Sequence, residues 1–155
     1  MKVEYINPFI KASKEVFKMT MNLDLEIGKP YVKKTPFALK DVVLLVGVTG
    51  EIKGQVIINL ELDVAKKIAS KMMMGMEVNE LDEMSKSAIS ELGNMIMGNS
   101  TTLIANQGIT IDITPPTLMV GKEINLSFND AVTIGLPLHS EIGDIIYDIS
   151  LKEAK

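Results

Sequence analysis

Glu91 and Asn94 are the residues of this chain whose types and spacing could do chemistry. On a helix, residues three apart are surface neighbours, so this pair would present a carboxylate and a carboxamide together. A carboxamide does not exchange protons near neutral pH, but it donates and accepts hydrogen bonds at once and can orient a water. A carboxylate can grip a cation, such as a lysine on a partner. Ser87, Gly98 and Thr101 continue the same stripe. An ordinary solvated face would carry long Lys and Glu side chains, whereas this one leaves room for close approach. By composition alone the pair still reads as solvated polar residues, the commoner fate of such side chains.

The stripe needs a helix to carry it, and the sequence predicts one from Asp82 to about Asn106. At roughly 100° per residue, Met84, Ala88, Ile89, Leu92, Met95, Ile96 and Leu103 form a broad apolar face, with the polar stripe beside it. Asn79 or Asp82 is the expected cap. Residues 3–21 carry apolar side chains at mostly helical spacing, and a first helix is expected there that begins between Tyr5 and Pro8, because a proline is tolerated in a first turn. Leu62 to Met74 predicts another helix, capped by Asp63 and stopped by Gly75. The cluster Met72-Met73-Met74-Gly75-Met76 suits either core filling or an adaptable contact surface.

Strands account for the remainder. Tyr31 to Lys34 suits a short edge strand closed by Pro36. Lys40 to Thr49 and Gln55 to Leu60 predict a hairpin turning near Thr49-Gly50-Glu51, the first strand too apolar to have a wet face. The glycines at 47, 50 and 54 lack the Gly-Lys-Ser/Thr ending of a phosphate loop and precede a strand, so a turn is expected. Ile109 to Thr114 alternates, Pro115-Pro116 breaks the ladder, and Thr117 to Val120 resumes it. Ile124 to Phe128 and Ala131 to Leu138 are expected to form a hairpin turning at Asn129-Asp130, with Pro137 marking an edge or bulge. His139 to Asp144 makes the next turn. Ile145 to Leu151 alternates as a last strand, with Ile145, Tyr147, Ile149 and Leu151 on one face. His139, the one histidine, has no acid or second histidine spaced to work with it, so it reads as a surface residue. These elements predict an α+β fold: a largely antiparallel sheet covered by two or three helices, in one domain spanning 1–155.

Composition excludes several function classes. At 155 residues with 46% apolar side chains the chain can bury a substantial core. The net charge of −4, scarce aromatics and lack of a basic cluster argue against nucleic acid. Without cysteine there is neither a disulfide framework nor a thiolate metal site. The polar N-terminus does not resemble a signal peptide, and the longest apolar run, Val42 to Val48, is too short to span a bilayer. A cytoplasmic protein without membrane contact is therefore expected.

Four segments carry a resemblance: Gly47-Val-Thr-Gly-Glu-Ile-Lys-Gly54, Met72 to Glu83, Ser87-Ala-Ile-Ser-Glu-Leu-Gly-Asn-Met95, and Asp112-Ile-Thr-Pro-Pro-Thr117. In order and spacing they resemble the CheX chemotaxis phosphatases of the CheC/CheX/FliY group. The family signature is a Ser or Asp, a Glu four residues on, an Asn three further and a downstream proline. Ser87, Glu91 and Asn94 match it, and Pro115 or Pro116 can supply the proline. CheC-type members tend to carry two Glu/Asn motifs; the single one here favours the CheX type.

The resemblance implies dephosphorylation of the aspartyl phosphate of a CheY-type response regulator in chemotaxis, a two-component signalling system. Asn94 would orient the attacking water, and Glu91 would hold the regulator's active-site lysine. Ser87 and Gly98 would leave room for the regulator's loops. The Mg²⁺ would belong to the regulator, leaving this chain without a metal or cofactor of its own. A homodimer made by joining sheets is also implied. Two further readings remain open: a non-catalytic docking or structural module of the same fold, as in FliN-like relatives, and a small-ligand sensor using the Met-rich region. The intact Glu91/Asn94 pair favours catalysis over docking alone.

Overall fold

A computed structural model describes residues 3–34, 37–127 and 132–154. In chain order the elements are α1 (Val3–Met21), β1 (Glu26–Ile27), β2 (Tyr31–Lys33), β3 (Phe37–Ala38), β4 (Val42–Gly50), β5 (Ile52–Leu60) and α2 (Leu62–Met72). Then follow α3 (Glu83–Ala105), β6 (Ile111–Ile113), β7 (Thr117–Val120), β8 (Asn125–Leu126), β9 (Thr133–Ser140) and β10 (Gly143–Glu153). The main sheet runs β1-β9-β10-β5-β4-β6, with β2 also on β9 and β7 also on β4. Its pairings are antiparallel. The α+β expectation holds, with three helices on one face of the sheet.

Cross-strand register explains the core. Leu44 pairs with Ile58 and Ile58 with Tyr147, so their side chains stand on one face. Val46, Val56 and Ile149 extend that layer, and Phe9, Phe17, Ile68, Ile89 and Ile96 cover it from the helices. Tyr147 is buried, and its hydroxyl bonds to that of Ser13 on α1. Since Ser13 Oγ donates to the Phe9 carbonyl at 2.6 Å, the phenol is the donor between the two hydroxyls. Burial holds that phenol's pKa above its ordinary value.

The second sheet face is also covered, as the apolar β4 run requires. Val43 and Ile57 pack there with Leu39, and Leu45, Met119, Ile124 and Leu126 close over them. On the same face Asp148 is buried between Lys33, whose Nζ lies 2.8 Å away, and Asn59, whose amide donates to it at 2.7 Å. Burial pushes the Asp148 carboxyl up, against the pull of Lys33.

Several expectations need correction. The hairpin of 124–128 with 131–138 does not form among the described residues. Instead β8 pairs with β3, and β9 pairs with β1, β2 and β10. The expected turn at Asn129-Asp130, like Pro36, lies outside the described residues. Pro137 marks neither an edge nor a bulge: β9 is paired on both sides, and Pro137 stays in register opposite Ile146. Its carbonyl accepts from Gly28 N between β1 and β2, so its missing N–H faces a gap in the ladder. α1 begins at Val3, ahead of the expected start, because Tyr5 is buried and its hydroxyl anchors the first turn to Glu153 at 3.0 Å.

α2 is not capped by Asp63. Asp41, distant in sequence, takes the Leu62 N–H at 3.2 Å. α2 ends at Met72, two residues early, in a closing turn in which Gly75 N donates to Ser70 O. Met74 occupies the left-handed position ahead of Gly75, at φ 60°.

Candidate functional site

α3 is fixed before it is functional. Asp82 caps it, accepting from Ser85 N at 2.9 Å and from Ser85 Oγ at 2.7 Å. These bonds hold the Asp82 carboxyl below its ordinary pKa of 3.8. At the other end, Glu51 N, in the β4–β5 turn, donates to Thr110 O at 3.0 Å. Gly50, at φ 115°, makes this closure possible, since a Cβ there would meet Thr110 O at 2.7 Å.

The buried side of α3 consists of Ser85, Ile89, Leu92, Gly93, Ile96, Met97, Ser100 and Ile104. It differs from the expected apolar face: Met84 is 60% exposed, and Ala88, Met95 and Leu103 are half-buried. Small residues account for the rotation. Ser85 and Ser100 bond within the helix, and Gly93 lets it press onto the sheet. A Cβ on Gly93 would lie 3.1 Å from Leu44 and 3.6 Å from Pro116. Of the two prolines, Pro116 is thus the one that approaches the helix at Gly93.

The predicted site residues fall together. Ser87, Glu91, Asn94 and Gly98 are exposed, and Thr101 is half-buried. At roughly 100° per residue their stripe lies roughly 150° from the centre of the buried side, so it is nearly opposite the core face and not beside it. Neither Ser87, Glu91 nor Asn94 has a side-chain bond or ion pair to another described residue. Space at Gly98 is open: a Cβ there would meet nothing within 4 Å. The arrangement offers an unengaged carboxylate and carboxamide on a rigid, accessible surface.

Two alternatives found elsewhere are less developed. The β9–β10 register brings Asp144 opposite His139, and His139 Nδ1 lies 2.7 Å from Asp144 Oδ1. The sequence expectation that no acid works with His139 is therefore corrected; only the hairpin fold reveals the pair. Asn22, Asp24, Glu26 and His139 line a hollow of 380 Å³ nearby. Among the described residues no group of three or more His, Cys, Asp or Glu could hold a metal ion. No helix among them is long and apolar enough to cross a membrane.

Known proteins share this fold and much of this sequence pattern. Residues 42–136 match the family model described as chemotaxis phosphatase CheX. The CheY-P phosphatase CheX of Thermotoga maritima is 33% identical over 142 residues, covering 91% of this chain and 92% of that protein. A CheC-like superfamily protein from Shewanella sp. PV-4 superposes with a TM-score of 0.88 at 31% identity, over 98% of this chain and 99% of that one. The Borrelia burgdorferi structure of a CheX–CheY–BeF3–Mg²⁺ complex gives 0.81 at 30% identity, over 98% and 100%. The chain belongs to the CheX family of chemotaxis phosphatases.

Proposed function

We propose that this protein is a hydrolase that removes the aspartyl phosphate from a CheY-type response regulator. The observation that carries this reading is the outward stripe of α3, where Glu91 and Asn94 stand exposed and unengaged while the opposite side of the helix is held in the core. The relative from Thermotoga maritima is a CheY-P phosphatase, which supports the same reaction here.

In this reading Asn94 enters the regulator's active site. Its carboxamide accepts a hydrogen bond from a water and holds that water in line with the phosphorus. The water oxygen bonds to phosphorus, the bond from phosphorus to the aspartyl oxygen breaks, and the carboxylate and inorganic phosphate are released. Glu91 pairs with the regulator's active-site lysine and so fixes the approach. Ser87 and Gly98 clear space for the regulator's loops. Phosphoryl transfer demands mainly positioning and charge stabilisation, which an amide delivered on a stiff helix can help supply. The Mg²⁺ comes with the regulator, in keeping with the Mg²⁺-containing complex of the Borrelia burgdorferi relative.

We further propose that residues 1–155 act as one unit, that two copies join their sheets as a homodimer, and that the work is done in the cytoplasm with the regulator. The test is the decay of a phosphorylated CheY-type regulator in Mg²⁺, with and without this protein. Faster decay supports the phosphatase. Binding without acceleration would replace it with a docking module.

A further inference from the structure

The exposed methionines around the start of α3 serve neither the core nor the chemistry proposed above. Met72 and Met73 pack against the core, but Met74 is 98%, Met84 60% and Met76 56% exposed. Leaving large apolar side chains in water is unfavourable, and a concentration of them marks a contact surface. Met74 is also held at φ 60°, where glycine is the usual choice, so neither packing nor backbone preference accounts for it. Met73, Met76 and Met84 line one groove of 240 Å³ together with Glu77, Glu80 and Asp82.

Met84 sits three residues before Ser87, hence on the same side of α3 as the stripe. It lies roughly 15 Å along the helix from Asn94, at about 1.5 Å per residue. A standard interface of about 800 Å² per partner is roughly 30 Å across, so a partner seated over Asn94 would reach Met84, at the near end of this groove, with the rim of its footprint. Methionine adapts to irregular apolar surfaces, and the exposed acids Glu77 and Glu80 favour basic residues around such a surface. A second copy fits less well, because two-fold pairing there would bring these acids against their own kind.

We propose that the methionine groove between α2 and α3 extends the docking face of the stripe and receives an apolar patch edged by lysine or arginine on the response regulator. This inference rests on the phosphatase reading. The test is a double variant, Met76→Ser and Met84→Ser, compared with wild type for binding of a beryllofluoride-activated CheY-type regulator and for decay of the phosphorylated one. Because the side chains are exposed, the thermal midpoint should hold. Kd and KM should rise on the order of tenfold, the loss falling on KM and not on kcat. An active wild type whose KM changes less than about twofold in the variant would overturn the docking role while leaving the phosphatase standing. So would a wild-type dimer that the variant abolishes with KM unaltered, since the groove would then serve a second copy. A wild type that neither binds nor accelerates would remove the phosphatase reading, and this inference with it.

Discussion

The two sides of α3 obey opposite rules. Towards the sheet and α1, Ile89, Ile96, Met97 and Ile104 are fully buried, and even the serines there bond within the helix. Towards solvent, Ser87, Glu91 and Asn94 have no bonded partner among the described side chains. The buried side fixes where the helix lies; the outer side keeps its polar groups uncommitted. That division suits the role proposed for Asn94, since positioning is achieved by packing and not by bonds to the amide itself.

Two substitutions two residues apart should separate the sides of α3 most clearly. Asn94→Ala should reduce regulator dephosphorylation by on the order of 100-fold or more while leaving the thermal midpoint unchanged. Ile96→Ala should cost about 2–5 kcal/mol in denaturant unfolding, because its cavity opens in a packed core. If Asn94→Ala instead lowered stability and spared the rate, the assignment of the two sides would be wrong. Glu91→Ala comes next. It should weaken regulator binding by roughly tenfold, and raising salt should affect the variant less than wild type, as expected for a lost charge pair.

The glycines sharpen the contrast at smaller scale. Gly98→Ala meets open space, so it should stabilise the helix by up to about 1 kcal/mol, read from denaturant midpoints. Gly93→Ala should recover less of that gain, since its Cβ must displace Leu44 at 3.1 Å. The smallest effect concerns Asp82. Its carboxyl has a folded pKa below the ordinary value, so its contribution is present above that value and lost as pH falls through the lowered one. Asp82→Ala should lower the thermal midpoint at neutral pH, and the gap from wild type should close in strong acid.

Local signals made α3, its Asp82 cap, the β4–β5 hairpin and β7 legible, because periodicity, capping and turn residues act over a few positions. The exposed stripe was legible for the same reason. Which side of α3 is buried was less so: hydrophobicity gives no weight to Ser85, Gly93 and Ser100, which turn the buried face toward themselves by permitting close approach. Likewise Asp41 capping α2, β8 choosing β3, and Asp144 meeting His139 are contacts between distant segments or across a fold-defined register. Methionine chemistry alone did not separate Met72 and Met73, which pack, from Met74 and Met76, which do not; the chain reversal after α2 makes that division.

Single-turnover decay of a phosphorylated CheY-type regulator in Mg²⁺, with saturating wild-type protein and saturating Asn94→Ala in parallel, decides whether Asn94 orients the attacking water. Rapid decay is expected with the wild type and the regulator's own unassisted rate with the variant, although the variant still binds. Equal acceleration by both proteins would contradict the assignment of the water-orienting role to Asn94.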